Sequence, residues 1–155
     1  MRRKHRIERE YEPDLVYHSP LVTRFINYLM KDGEKTVAQK VFYRAMEEIK
    51  KQTNQDPLNI FNLAIQNVSP EMEVKTKRVG GANYQVPVPV PEYRKIILAF
   101  RWIIEASRNK KGLPMAKRLA EELILASKNE GDAIRKKLDT HRMAEANRAF
   151  AHFAK

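Results

Sequence analysis

The stretch EVKTKRVGGANYQVPVPVP, residues 73–91, determines how the rest of the chain is interpreted. Two runs of alternating residues flank Gly80 and Gly81, a pattern typical of a β-hairpin with a tight turn. The second run carries proline at every other position, at Pro87, Pro89 and Pro91. Because proline has no backbone N–H to donate, such a run normally argues against a paired strand.

The spacing of the prolines removes the conflict. In a two-stranded ribbon, residues of one parity exchange hydrogen bonds with the partner strand, and the other N–H groups point outward. The three prolines share one parity, so every missing donor can lie on the outer edge, which also cannot recruit a further strand. We therefore predict a two-stranded arm over 72–91. Since an isolated ribbon is marginally stable in water, it must rest on helices, on a ligand or on both.

The remainder of the chain is predicted to be helical. Apolar residues recur at helical spacing, and capping residues and prolines mark the starts of segments. The boundary signals, in chain order, are Ser19 and Pro20, Gly33, Asp56 and Pro57, the segment 93–108, Pro114 to Gly131, and a last helix from an Asp132 cap through Phe153. The predicted fold class is mainly α, a bundle of about six helices with one protruding two-stranded β-hairpin arm.

Length and composition limit the possible functions. A chain of 155 residues is expected to form one domain without a metal or disulfide staple. The absence of cysteine excludes a disulfide framework, a thiolate zinc site and a cysteine nucleophile. Residues 1–12 are charged and lack apolar periodicity, so we expect a flexible basic arm, not a secretory signal, before a single helical domain over 13–155. The longest apolar run, at 96–100, is too short for a membrane span, which predicts a soluble intracellular protein with no membrane partner.

The charge is the strongest indication of function. Thirty Lys and Arg residues against nineteen Asp and Glu residues give a net charge of +11. An excess of this size, gathered in clusters, favours a polyanionic partner, usually nucleic acid. Each cluster alone could be an ordinary solvated face, but together they are interpreted as one extended footprint. They comprise the N-terminal RRKHR, Lys75, Lys77 and Arg78 on the arm, Arg94, Arg101 and Arg108 at heptad spacing with Lys95 beside them, Lys110 and Lys111 in a basic turn, and Lys136, Arg142 and Arg148 on the last helix.

Catalytic and metal-binding patterns are weak. The four histidines show none of the helical spacings used by metal sites, and Gly80-Gly81 lacks the lysine and the strand-to-helix context of a phosphate loop. No nucleophile, base and orienting group can be combined into an active site. We therefore predict that the protein is not an enzyme and needs no metal or cofactor. Tyr84, Phe150 and Phe153 could stack on bases, although local packing is the favoured interpretation.

Two long segments resemble a known family. VKTKRVGGANYQVPV (74–88) and GDAIRKKLDTHRMAEANRAFAHF (131–153) are similar to small-subunit ribosomal protein seven in its bacterial and organellar form, and the similarity begins at SPLVTRFINYLMKDGEK (19–35). The resemblance implies a six-helix bundle with a β-hairpin. It also implies a primary binder of small-subunit ribosomal RNA, in the 3′ major domain, that nucleates assembly of the head. Cytoplasmic ribosomes are the expected location, or the matrix or stroma for an organelle-encoded chain.

The resemblance also implies partners and contact residues. The family lies at the subunit interface near the decoding centre, with exit-site transfer RNA and messenger RNA nearby and ribosomal proteins nine and eleven as neighbours. The protein is expected to be a monomer outside the ribosome. Carried over by position, the ribosomal RNA contacts are Arg2, Arg3, Lys4, Arg6, Lys35, Lys75, Lys77, Arg78, Arg94, Lys95, Arg101 and Arg108, and the residues facing exit-site transfer RNA are Arg142, Asn147 and Arg148.

Two interpretations from other classes remain open at this point. A helical body with a basic β-arm would also suit an architectural DNA-binding protein, which predicts a tight homodimer that does not distinguish between nucleic acids. A module whose basic faces bind acidic proteins would instead leave no footprint on RNA. A ribosomal protein should be a monomer that prefers structured RNA.

Overall fold

The computed structural model describes residues 10–154, which form six α-helices, one 3-10 helix and one two-stranded antiparallel sheet. The predicted fold class, mainly helical with a single hairpin, is confirmed. In chain order the elements are α1 (Pro20–Leu29), α2 (Lys35–Thr53), α3 (Pro57–Val68), β1 (Met72–Val79), β2 (Ala82–Pro89), α4 (Glu92–Asn109), α5 (Met115–Ser127), α6 (Asp132–Ala146) and a C-terminal 3-10 helix (Arg148–Ala154).

Four phenylalanines form the centre of the core. Phe25 on α1 lies edge-to-face with Phe61 on α3 and with Phe100 on α4, each at a centroid distance of 5.2 Å, and Phe42 on α2 packs against Phe61 at 5.4 Å. All four rings are fully buried. Edge-to-face geometry is favoured for aromatic pairs beyond the area they bury. The cluster therefore joins the four helices α1, α2, α3 and α4 into one body that carries the arm.

The first and third helices begin as predicted. Asp56 caps α3 by accepting a hydrogen bond from the amide of Leu58 at 3.2 Å, and Pro57 occupies the first helical position. Ser19 stands at the N-cap of α1, before Pro20, although its side chain makes no capping hydrogen bond. Proline is well suited to this position because the first amides of a helix have no intrahelical acceptor.

The boundary between the last two helices was predicted wrongly. Helix α5 ends at Ser127, not at Gly131, and Asp132 is the first residue of α6 instead of its cap. The N-cap position belongs to Gly131, whose φ of +94° is a conformation that favours glycine. The capping acceptor comes from the preceding helix, where Glu122 Oε1 accepts from the amide of Ala133 at 2.9 Å. A cap supplied by a residue eleven positions away leaves no local pattern in the sequence.

The last helix was also predicted to be too long. Helix α6 ends at Ala146, and the segment from Arg148 to Ala154 winds as a 3-10 helix. Asn147 lies at the junction, where its side-chain amide donates to the carbonyl of Met143 at 2.8 Å. Asparagine side chains compete with the backbone for such carbonyls, which favours the end of an α-helix. The narrower helix brings the terminal aromatic residues onto the arm.

The arm has the predicted pairing. Gly80 and Gly81 have φ values of +56° and +88°, as a two-residue hairpin turn with positive φ at both positions requires. In the register, Glu73 lies opposite Val88 and Val74 opposite Pro87. The amide of Val90, which has the parity of Val88, donates to the carbonyl of Glu71 at 2.9 Å. The prolines therefore occupy the positions whose N–H groups would point away from the partner strand.

Candidate nucleic-acid interface

The tip half of the arm rests on the C-terminal 3-10 helix. The ring of Tyr84 lies 5.3 Å from that of Phe150 and 5.1 Å from that of Phe153, measured between centroids. Lys77 Nζ donates to the carbonyl of Phe153 at 2.6 Å. These contacts confirm that the three aromatic residues pack locally, and they supply the support that a two-stranded ribbon needs.

The base of the arm is joined to α4 by a buried carboxylate. Arg94 Nε lies 2.8 Å from both carboxylate oxygens of Glu73, and Lys75 Nζ lies 3.2 Å from Oε1. The side chain of Glu73 is 9% exposed. The structure therefore brings together two predicted RNA-binding residues, Lys75 and Arg94, around an acidic residue that the sequence analysis did not single out. Arg78, nearer the turn, is exposed.

A second acidic cluster surrounds Lys95. Its ammonium group lies 2.8 Å from Glu71 Oε2 and 2.8 Å from Glu92 Oε1, and the side chain is only 14% exposed. The hydrogen bonds that Lys95 donates to Glu71 and then to Glu92 raise the pKa of Lys95, and its bond to Glu71 lowers the pKa of that carboxyl. Lys95 is therefore held within the protein's own ion pairs. Its contact with RNA stays a prediction.

The remaining arginines of α4 lie along the helix toward its C-terminal end. Arg101 is exposed, and its guanidinium carbon lies 6.0 Å from the centroid of the Tyr28 ring. Arg108 is exposed as well, and its Nη2 donates to the carbonyl of Leu29 at 3.1 Å. Both side chains keep accessible surface while one contact with α1 orients each of them.

Lys110 differs from the exposed cations around it. Its Nζ lies 2.8 Å from Oε2 of Glu122, a carboxylate with 0% exposure, and Lys110 itself is 21% exposed. The pair lacks hydrogen-bond geometry at Oε2, so the attraction is electrostatic. The other oxygen, Oε1, caps α6. Lys110 is thus the counterion of a buried structural group, whereas Lys111 beside it is exposed.

Arg142 on α6 and Arg148 at the start of the 3-10 helix are exposed to solvent. Arg142 lies 3.7 Å from Asp139 and Arg148 lies 3.3 Å from Glu145, in exposed pairs three residues apart. Pairs of this kind contribute little to stability and exchange readily for another anion. Asn147, between them, is partly buried and bonded to Met143. Lys35 at the start of α2 and Lys136 on α6 are also exposed.

His141 supports the base of the arm, a structural role that the sequence did not predict. Its Nε2 accepts a hydrogen bond from the amide of Glu71 at 3.1 Å, which links α6 to the base of the arm. Burial, and next the nearby charge of Lys137, lower the pKa of His141. The acceptor role requires a neutral imidazole. No motif in the sequence connects residues 71 and 141.

Some expectations lie outside what the structure describes. Arg2, Arg3, Lys4 and Arg6 precede the first described residue, so their RNA contacts stay predictions. Within residues 10–154, no group of three or more histidine, aspartate or glutamate side chains could hold a metal ion. Over the same range, no helix combines the length and the apolar character needed to cross a bilayer.

The fold and the charge distribution define a class: a mainly helical protein with a basic two-stranded arm, suited to a polyanionic partner. Residues 1–148 match the family model described as ribosomal protein S7p/S5e. The chain is 55% identical to small ribosomal subunit protein uS7 of Thermotoga maritima and 56% identical to that of Thermosipho africanus, over 99% of each chain. It is 54% identical to the protein of the same name from Dictyoglomus thermophilum, over 94% of this chain and 93% of the relative.

The chain belongs to the ribosomal protein S7p/S5e family. The resemblance found in the two long segments is thereby confirmed. Membership makes the protein a structural component of the small ribosomal subunit that binds ribosomal RNA, and not an enzyme.

Proposed function

We propose that this protein is a primary binder of the 3′ major domain of small-subunit ribosomal RNA and nucleates assembly of the subunit head. The observation that carries the proposal is the way the arm is mounted: Tyr84 and Lys77 hold it against the C-terminal segment. Because the ribbon is already folded onto the body, its cations meet the RNA with little ordering cost.

The same surface supports a proposed location within the ribosome. We propose that the arm and the C-terminal segment lie at the subunit interface near the decoding centre, beside exit-site transfer RNA and messenger RNA. Exposed Arg142 on α6 and exposed Arg148 on that segment, together with Asn147 between them, support this placement. Ribosomal proteins nine and eleven are the proposed protein neighbours, in ribosomes of the cytoplasm, with the free protein a monomer.

Burial divides the proposed RNA contacts into two groups. The exposed cations can approach phosphates directly, and they are Lys35, Lys75, Lys77, Arg78, Arg101, Arg108, Lys111, Lys136, Arg142 and Arg148. Arg94, Lys95 and Lys110 each lie 2.8 Å from a carboxylate oxygen. We propose that these three residues contribute to RNA binding by fixing the shape of the basic surface and by adding to its positive electrostatic potential, in addition to any direct contact with RNA.

A salt-titrated binding assay tests the proposal. The purified protein is titrated with a fragment of the 3′ major domain and, separately, with a DNA duplex of equal length at matched salt. We expect one-to-one binding of the RNA with an affinity at least about 10³-fold above that for the duplex. Equal affinities with equal salt slopes would contradict the proposal, and a homodimer under those conditions would favour an architectural DNA-binding protein.

Matched variants locate the surface. Arg78→Gln removes an exposed cation from the arm, and we expect the slope of log K against log salt to fall by about 1. Lys51→Gln removes an exposed cation from α2, where Lys51 pairs with Glu48 at 3.6 Å, and serves as the control. Equal effects of the two variants would mean that only net charge matters.

A further inference from the structure

A buried carboxylate lies in the middle of the basic surface. The side chain of Glu73 is 9% exposed, although the residues that flank it in space, Lys75 and Arg94, are 56% and 38% exposed. Burying a charge is unfavourable unless it is paired and hydrogen-bonded. An acidic group at this position also opposes the attraction of RNA. Its presence therefore needs an explanation other than attraction of the polyanion.

The explanation lies in how Glu73 contacts Arg94. The Nε–H of Arg94 points at the carboxylate, 2.8 Å from each oxygen. A guanidinium group has five N–H donors in a rigid plane, and this contact occupies only one of them. Among the described residues, the structure gives no hydrogen-bond acceptor for the two terminal nitrogens of Arg94. Those nitrogens form the edge of the guanidinium plane that binds a phosphate in two places.

We infer that Glu73 is a positioning residue for RNA binding: it fixes the Arg94 guanidinium through Nε so that the terminal nitrogens meet an RNA phosphate, and it holds Lys75 beside them. The strand geometry supports this role, because alternate residues share a face and place Glu73 and Lys75 on the same side of β1. The inference rests on the proposed ribosomal RNA binding and deepens it.

The inference and simple charge counting predict opposite results for one substitution. Glu73→Gln removes a negative charge, so attraction of RNA alone would strengthen binding and steepen the salt slope. If Glu73 positions Arg94, the same variant frees the guanidinium to rotate and loses an ordered phosphate contact. We expect binding weaker by about tenfold to a hundredfold, the value of one charge-assisted hydrogen-bonded contact, and a slope shallower by about 0.7 to 0.9.

The experiment measures both quantities on the 3′ major domain fragment, with urea unfolding of each variant as the test of folding. Glu105→Gln is the matched control, because Glu105 is exposed on α4 and its loss changes the charge by the same amount. That control should bind slightly more tightly than wild type. Glu73→Asp keeps the charge but withdraws the carboxylate by one methylene group, and it should also give a shallower slope. If Glu73→Gln does not fold, the salt slope of Glu73→Asp tests the positioning role instead.

A third comparison separates positioning from a purely structural role. In an Arg94→Gln background, Glu73→Gln should lose most of its weakening effect and approach the slight gain expected for Glu105→Gln, because the main residue through which it acts is absent. Tighter binding by Glu73→Gln, or an unchanged slope in Glu73→Asp, overturns the inference while leaving the proposed function intact. Wild-type protein that binds the RNA no better than the DNA duplex contradicts the proposed function itself, and the inference with it.

Discussion

Lys110→Met should be among the most destabilising substitutions of a charged residue in this protein. The change strands the Glu122 carboxylate, which has 0% exposure, with the Ala133 amide as its one remaining polar contact among the described residues. Removing one partner of a buried ion pair costs about 3–5 kcal/mol. Domains of this size are stable by about 5–15 kcal/mol, so the loss is a large share of the total. The expected fall in Tm is roughly 6–20 °C, from about 2–4 °C per kcal/mol at this length.

The assay is urea unfolding, in which the midpoint reports the stability of each variant. An unchanged m-value shows that the variant and the wild type expose the same surface on unfolding, so their midpoints can be compared. The double variant Lys110→Met with Glu122→Gln should recover much of the loss, because a glutamine oxygen can still cap α6 and no charge is left buried. Lys111→Met is the control, since Lys111 is exposed. Two results would refute the reasoning and show that Lys110 and Glu122 behave like a surface ion pair. One is a loss below about 1 kcal/mol for Lys110→Met, and the other is a double variant no more stable than Lys110→Met alone.

Four further predictions concern the support of the arm and of the N-terminal segment. Burial lowers the pKa of His141, so the imidazole binds its second proton more tightly in the unfolded chain than in the folded protein. The stability that the neutral ring confers should therefore be lost as the pH falls below about 6.5. Urea unfolding at neutral and acidic pH should show a larger loss of stability for wild type than for His141→Gln. Tyr43→Phe removes a 2.7 Å hydrogen bond to Asp14 and should cost about 1 kcal/mol in the same assay. In the wild type, burial and that hydrogen bond raise the pKa of Tyr43 to about 12, so its contribution should be lost as the pH rises above about 10, which absorbance of the phenolate can follow. Phe150→Ala removes a ring whose centroid lies 5.3 Å from that of Tyr84. The variant should speed amide hydrogen exchange in the arm and leave the exchange rates of α1–α3 unchanged. An equal change of exchange rate in the arm and in α1–α3 would contradict a supporting role for this ring.

The fold was predictable wherever the determining interactions are local. Proline at the first position of α1 and of α3 and the paired glycines at the turn are each specified within a few residues, and the structure has them as predicted. The failures lie mainly where a distant residue contributes. The cap of α6 comes from Glu122, and the C-terminal segment leaves the α-helix to pack Phe150 and Phe153 on Tyr84. Neither contact leaves a periodicity, because the partners are joined only by the tertiary fold.

The candidate site shows a different limit, because counting cations cannot distinguish a phosphate contact from an internal counterion. Arg94, Lys95 and Lys110 contribute to the net charge of +11 as fully as Arg78 does, yet each lies 2.8 Å from a carboxylate of the same chain. For Lys95 the sequence did hold a clue, since Glu92 lies three residues before it on the same helix. For Arg94 and Lys110 the acidic partners come from other elements. The acidic residues of a basic surface are therefore as informative as the cations, because their burial shows which cations are fixed in place before the RNA arrives.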